Sequence, residues 1–212
     1  MKPISRKRNG HTVGTNWKAG LIRWRPHTNK DGKRFPLNHL HPFRYELVMP
    51  SKDHWPETVV AVHVGFGMHC FTKKVESGDD PSERYSDDRE ARTFDFDRYE
   101  HSKRLATIAR ELQERPCAFA KDENFVCLDV TDLKGETRRY GVFFNIKKWA
   151  GEGRGNNAVL LVIQSAYCLD PKKPDPSGGR IRFNVLLGHA LRGTKPIRLG
   201  VKKTKAPQSG AS

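Results

Sequence analysis

The stretch NNAVLLVIQSAYCLDP, residues 156–171, is the most apolar segment of the chain and decides how the rest is arranged. Side chains two positions apart lie on the same face of a strand, so Val159, Leu161 and Ile163 share one face. The same alternation continues to Ser165 and Tyr167. Because both faces are apolar until this end, the pattern predicts a central strand that is covered on both sides and finishes in a polar site.

Further runs rich in β-branched and aromatic residues predict five more strands. They are RYELVM (44–49), TVVAVHVGF (58–66), NFVCLDV (124–130), RRYGVFFNIKK (138–148) and RIRFNVLLG (180–188). Short links that contain Gly or Pro favour antiparallel hairpins between them. The acidic stretch 73–92 has no periodicity and predicts a mobile loop.

One principal amphipathic helix is predicted over residues 95–116, because Leu105, Ile108 and Leu112 recur at helical spacing. Asp95 suits the positive end of such a helix, and Pro116 stops it. With the strands, this predicts an α+β fold, in which the helix packs on a mostly antiparallel sheet.

The formal net charge of +15 is confined to the two ends of the chain. Residues 1–34 hold ten Lys or Arg and one Asp, residues 192–212 hold six Lys or Arg and no acid, and residues 35–191 are neutral. These steps predict a basic, Trp-containing N-terminal arm (1–34), a single domain (35–191) and a basic C-terminal tail (192–212). Cations near phosphate release condensed counterions, so we expect a nucleic-acid partner. Ends that only raise solubility are the alternative.

Cations and indoles of the two ends are the expected nucleic-acid contacts. They are Arg6, Lys7, Arg8, Trp17, Arg23, Trp24, Arg25, Lys202 and Lys203. Indole rings beside cations suit stacking on bases next to phosphate contacts. Trp17, Leu21 and Trp24 also fall on one face of a helix, so a short amphipathic helix docked on the domain is an equal alternative.

Several classes of protein find no support in the sequence. No apolar run approaches the length of a membrane helix and no secretory signal is evident, so we expect a cytoplasmic protein with no membrane partner. The four cysteines form no CxxC pair, and we expect reduced thiols, no metal and no cofactor. A zinc site built from His69, Cys70 and two distant cysteines is the alternative. Walker, Rossmann, GxSxG, HExxH and kinase motifs are absent.

Polar side chains near strand ends are the catalytic candidates, with Arg98 and His101 near the helix start. The candidates are His63, His69, Lys147, Ser165 and Tyr167. Cleavage of RNA without metal needs a base for the 2′-hydroxyl, an acid for the leaving oxygen and cations around the phosphate, and these side chains can divide that work. The structural interpretation of each is a hydrogen-bonded or solvated strand position.

A helical segment followed by a four-stranded antiparallel sheet, with QSAY late in the sheet, resembles the barnase, EndoU, colicin and RelE group of metal-independent ribonucleases, which includes many toxins. The resemblance covers residues 93–191. It implies RNA more than DNA as the substrate, an inhibitory protein partner, and Ser165 and Tyr167 as the late sheet residues of the site. His69 or His63 would then be acid or base from outside the matched span, which departs from the usual arrangement of the group.

Two other functions are consistent with the sequence. One is a non-catalytic nucleic-acid-binding protein, such as a regulator of a mobile-element system. The other is a protein-interaction module whose acidic loop and basic ends contact other proteins.

Overall fold

The computed structural model describes residues 21–51, 56–120, 124–131, 135–150, 157–174, 176 and 178–196, with the backbone alone at position 125. Its helices are α1 (Phe96–Ser102), α2 (Leu105–Arg110) and α3 (Phe183–Arg192). Its strands are β1 (His27–Thr28), β2 (Arg34–Phe35), β3 (Phe43–Met49), β4 (Thr58–His69), β5 (Thr72–Lys73), β6 (Arg84–Ser86), β7 (Ala91–Phe94), β8 (Cys117–Phe119), β9 (Asn124–Thr131), β10 (Thr137–Lys148), β11 (Ala158–Cys168) and β12 (Arg180–Ile181). Among these helices, none is long and apolar enough to cross a membrane.

A seven-stranded sheet in the order β12-β8-β9-β10-β11-β4-β3 forms the centre of the fold. Every neighbouring pair in it is antiparallel except β11 and β4, which run parallel. β5, β7 and β6 form a second, three-stranded sheet. The α+β class and the β9–β10 and β10–β11 hairpins are therefore as predicted, whereas the sheet is mixed at its centre.

The core lies on one face of the large sheet. Alternate residues of β4, from Val60 through Phe66 to Met68, point into it and are buried. All three helices contribute to the same cluster, through residues such as Leu105 and Leu187. We call the opposite face of the sheet the outer face.

Two helical predictions need correction. The segment 95–116 divides into α1 and α2 with a turn at Lys103 and Arg104, although its predicted apolar side is buried. RIRFNVLLG, predicted as a strand, is mostly helix α3, because the buried Phe183 and Leu187 belong to a pattern of period 3.6 that continues beyond residue 188. Gly193 ends this helix in the left-handed conformation, with φ of 67°.

The acidic stretch 73–92 is ordered, contrary to the prediction of a mobile loop. Asp79 accepts hydrogen bonds from the Thr93 hydroxyl at 2.6 Å and pairs with Lys73 at 2.8 Å. The hydrogen bond from Lys73 is the main reason why the pKa of Asp79 lies well below its usual range. The acids here act as local hydrogen-bond acceptors that hold β5, β6 and β7 together.

The folded part of the chain begins before residue 35. Trp24 is 4% exposed, its indole Nε1–H donates to the Phe66 carbonyl at 2.9 Å, and its ring meets Phe71 edge to face at 5.5 Å. His27, in β1, is also buried and stacks on Phe94 at 4.2 Å. Residues 21–34 are therefore part of the domain, and the predicted boundary at residue 34 lies too late.

A β-bulge at Gln164 changes the face on which the end of β11 lies. Phe144 pairs with Ile163 and Phe143 pairs with Ser165, so Gln164 is an extra residue relative to β10. The core-facing line of β11 runs through Ile163 and resumes at Ala166. Ser165 therefore points to the outer face, not to the face of Ile163 as the simple alternation predicts.

Candidate functional site

Three of the five predicted catalytic residues lie together at one end of the outer face. His69 and Ser165 are register partners across the parallel β4–β11 pair, and neighbouring strands lie about 4.8 Å apart. Tyr167 follows two positions later on the same face of β11. The bulge at Gln164 and the parallel pairing bring these residues together, and neither is evident in the sequence.

The other two predicted catalytic residues lie elsewhere on the sheet. Lys147 pairs with Leu160, and Leu160 in turn pairs with His63, whose ring is 5.3 Å from that of Trp149. Ser165 lies five positions beyond Leu160, which is roughly 16 Å along the strand. The prediction that all five side chains share one reaction is therefore corrected for His63 and Lys147, because they lie toward the opposite end of the central strands.

His69 forms a hydrogen-bonded pair with Glu90. Its Nε2 lies 2.8 Å from Glu90 Oε1, and the two side chains are 41% and 38% exposed. Burial pushes the pKa of Glu90 up, but the hydrogen bond from His69 and the charge of Arg92 outweigh it and hold that pKa below its usual value. An ionised Glu90 accepts a hydrogen bond from the imidazole and orients it, and an imidazole held in this way can accept and return a proton.

Arg98 links this pair to Tyr167. One guanidinium nitrogen, Nη1, donates to the carbonyl oxygens of His69 at 3.2 Å and Thr72 at 2.8 Å. The guanidinium carbon lies 4.9 Å from the centroid of the Tyr167 ring, and the side chain remains 23% exposed. Asp95 caps α1 by accepting from the Arg98 backbone N–H at 2.9 Å, which fixes the start of the helix that carries this arginine.

The Tyr167 ring is held from a second direction by Phe143. The two rings stack with centroids 5.3 Å apart and an angle of 16° between their planes. Phe143 and Arg98 together fix the ring, so the phenol is a rigid feature of the surface.

A pocket of about 720 Å³ opens beside Tyr167, at the ends of β10 and β11. Four cations line it, namely Arg98, Arg138, Arg139 and Lys173, against the two acids Glu136 and Asp170. Two of the cations face these acids, Arg138 with Glu136 at 2.8 Å and Lys173 with Asp170 at 4.0 Å. The excess of positive charge suits an anionic ligand such as a phosphodiester.

A further polar cluster, which we call the α1–β11 cluster, consists of Asp97, His101 and Cys168. Their carboxylate, imidazole and thiol ligand atoms all lie within 4.8 Å of one another. His101 is 3% exposed, and Cys168 also lines the pocket. The three side chains have the chemistry of metal ligands.

The expected nucleic-acid contacts have different outcomes. Arg6, Lys7, Arg8, Trp17, Lys202 and Lys203 lie outside the described residues. Arg23 and Arg25 are exposed. The prediction that Trp24 contacts nucleic acid is corrected, because its indole is buried in the core and cannot stack on a base.

Sequence reasoning missed Glu90 and Arg92, because both fell in the stretch taken for a loop. Tyr85 and Thr93 are buried in the two strands on either side of a turn. In this turn Asp87 accepts a hydrogen bond from the Glu90 backbone N–H at 3.1 Å. The motif of an Asx turn between two short strands was present in the sequence.

No curated protein and no solved structure matches the chain. A family model with the description YjaZ family matches residues 26–191, which are more than half of the sequence. The matched range includes the His69–Glu90 pair and the residues that line the pocket. The chain therefore belongs to the YjaZ family.

Proposed function

We propose that this protein cleaves RNA by acid–base chemistry without metal, at the end of the outer face where His69, Glu90, Arg98 and Tyr167 lie. The observation that carries the proposal is the His69–Glu90 pair at 2.8 Å, half-exposed and connected through Arg98 to a cationic pocket. A proton-accepting group beside fixed cations is what phosphoryl transfer to an internal hydroxyl requires.

In the proposed reaction His69 takes the proton of the ribose 2′-hydroxyl. The 2′-oxygen then attacks the adjacent phosphorus, and the bond to the 5′-oxygen breaks. Tyr167 supplies the proton that this leaving oxygen takes up, so the products are a 2′,3′-cyclic phosphate and a 5′-hydroxyl. The basic form of His69 and the phenol of Tyr167 are restored by proton exchange with water.

Arg98 has two tasks in this scheme. Its charge offsets the negative charge that builds up on the phosphate, and its position 4.9 Å from the Tyr167 ring centroid stabilises the phenolate left after proton donation. The pocket cations Arg138 and Arg139 hold the phosphate of the next nucleotide.

The test is incubation of purified protein with RNA in EDTA, using the wild type, His69→Gln and Tyr167→Phe. Gln at 69 keeps a hydrogen-bond donor for Glu90 and removes the base, and Phe at 167 keeps the ring and removes the hydroxyl. We expect each change to lower the cleavage rate per folded molecule by about 10- to 1000-fold while RNA binding persists. His189→Gln is the matched control, because His189 bonds Thr194 at 2.8 Å on α3, away from the outer face.

A wild-type protein that leaves RNA intact contradicts the proposal. So does an unchanged rate in both variants with melting temperatures as in the control. If the wild type binds RNA tightly without cleaving it, the cationic pocket instead supports the non-catalytic nucleic-acid-binding function.

A further inference from the structure

We propose that the α1–β11 cluster, Asp97, His101 and Cys168, binds one zinc ion that joins α1 to the end of β11. A carboxylate, an imidazole and a thiolate form a ligand set suited to Zn²⁺, and three protein ligands leave a fourth position for water. This inference goes beyond the proposed function, because the cleavage reaction uses no metal.

The ligand atoms lie close to the arrangement that zinc needs. They are within 4.8 Å of one another, and bond lengths of 2.0–2.3 Å place tetrahedral ligands roughly 3.3–3.8 Å apart. His101 Nε2 and Asp97 Oδ1 are already 3.7 Å apart. Small side-chain rotations therefore suffice to complete the site.

Secondary structure positions all three ligands. Asp97 and His101 are four residues apart and lie on one face of α1, while Cys168 comes from the last position of β11. Ligands on packed elements lose little freedom when an ion binds. The Asp97 side chain is 42% exposed and that of His101 only 4%, so an ion can enter from the Asp97 side.

Tyr140 provides an independent observation at the same place. It is the register partner of Cys168 on β10, and its ring centroid is 5.2 Å from that of His101. The side chain is fully buried, and its hydroxyl has no hydrogen-bond partner among the described residues. A buried hydroxyl beside a metal site hydrogen-bonds a ligand or the metal-bound water, and such outer contacts orient the ligands.

The test is titration of the full-length, metal-stripped protein with Co²⁺, followed by absorption spectroscopy. We expect one equivalent to give a thiolate-to-cobalt charge-transfer band together with the visible bands of four-coordinate cobalt. Cys168→Ser should abolish the charge-transfer band. Cys127→Ser is the matched control, since Cys127 is also half-buried but lies on β9 outside the cluster, and it should leave the band intact.

Two further measurements keep the proposal falsifiable if Cys168→Ser does not fold. Asp97→Asn, at an exposed position, should weaken Co²⁺ binding by at least about tenfold. Zn²⁺ at about a hundredfold excess over its Kd should raise the melting temperature of the wild type by roughly 5–10 °C.

No charge-transfer band in the wild type, or a band that survives in Cys168→Ser, overturns the site. Unchanged Co²⁺ affinity in Asp97→Asn does the same. None of these measurements uses RNA, and the cleavage assay contains EDTA, so failure of the metal site and failure of the proposed function are separate results.

Discussion

His39 lies where α1 meets the loop before β3, and its protonation affects the stability of the fold. Its Nε2 is 2.7 Å from Ser102 Oγ, and the Ser102 hydroxyl itself donates to the Tyr99 carbonyl at 2.7 Å. Ser102 Oγ must therefore accept, which places a proton on His39 Nε2. Burial, with a smaller contribution from the charge of Lys103, lowers the pKa of His39 to about 4.

This shift predicts a loss of stability in mild acid. The unfolded chain takes up a proton at His39 near pH 6.5 and the folded chain only near pH 4, so the stabilisation is complete above pH 6.5 and falls as the pH drops through this window. Partial exposure reduces the effect to about 1–2 kcal/mol between pH 7 and 4.5. Urea unfolding should show a shallower pH dependence for His39→Gln than for the wild type. A His189→Gln control with the same shallow dependence would contradict this assignment.

At the scale of the element, the bulge in β11 depends on a glycine in the neighbouring strand. A Cβ placed at Gly67 would clash with the backbone carbonyl oxygen of Gln164, closer than real Cβ contacts come. Only a residue without a side chain lets β4 pass the bulge at this distance. Gly67 thereby supports the placement of Ser165 beside His69.

Gly67→Ala should therefore destabilise the fold by about 1–3 kcal/mol, because backbone has to shift to accommodate the methyl group. The same change should reduce RNA cleavage per folded molecule, since it displaces the end of β11. Gly78→Ala is the control, as a Cβ there has nothing within 4 Å. Equal free energies of unfolding for the two variants would rule out the close approach.

The sequence predicted the elements whose patterns are local. β4, β9 and β10 follow from alternation, and their hairpins follow from short loops. The extra residue at Gln164 leaves no signature, because every residue around it is compatible with a strand. The parallel pairing of β4 with β11 is a contact between distant segments, which local patterns do not encode. For these reasons His69, Ser165 and Tyr167 could be named as candidates from their residue types and their places near strand ends. Glu90 could not be identified as the partner of His69.

At the scale of the whole molecule, the positive charge has two locations. The sequence places an excess at the two ends, and the structure adds the pocket lined by Arg98, Arg138, Arg139 and Lys173. The first is suited to holding a polyanion non-specifically and the second to positioning one phosphate. The contributions of the ends and of the pocket to RNA binding can be separated by measuring how the affinity depends on salt concentration.

Neutralising the ends in the full chain, by Arg6→Gln, Lys7→Gln, Arg8→Gln, Lys202→Gln and Lys203→Gln together, should flatten the salt dependence of RNA binding. Five fewer phosphate contacts lower the slope of log Kd against log salt by up to about 3–4 for a single strand. The control removes cations that already face their own acids, Arg89→Gln and Lys103→Gln, and should change the slope little. Slopes measured by fluorescence anisotropy that do not differ would assign binding to the domain alone.

The parallel pair at the centre of the sheet also determines when the site can exist during synthesis of the chain. The thiol of Cys70, just past β4, donates to the carbonyl of Ile163 in β11, and the two residues are 93 positions apart. At about 5–20 residues per second, a ribosome needs roughly 5–20 s to make the intervening chain. Throughout this interval His69 has no Ser165 or Tyr167 beside it. A protein that cleaves RNA at this site would therefore remain inactive on the ribosome until β11 has been synthesised.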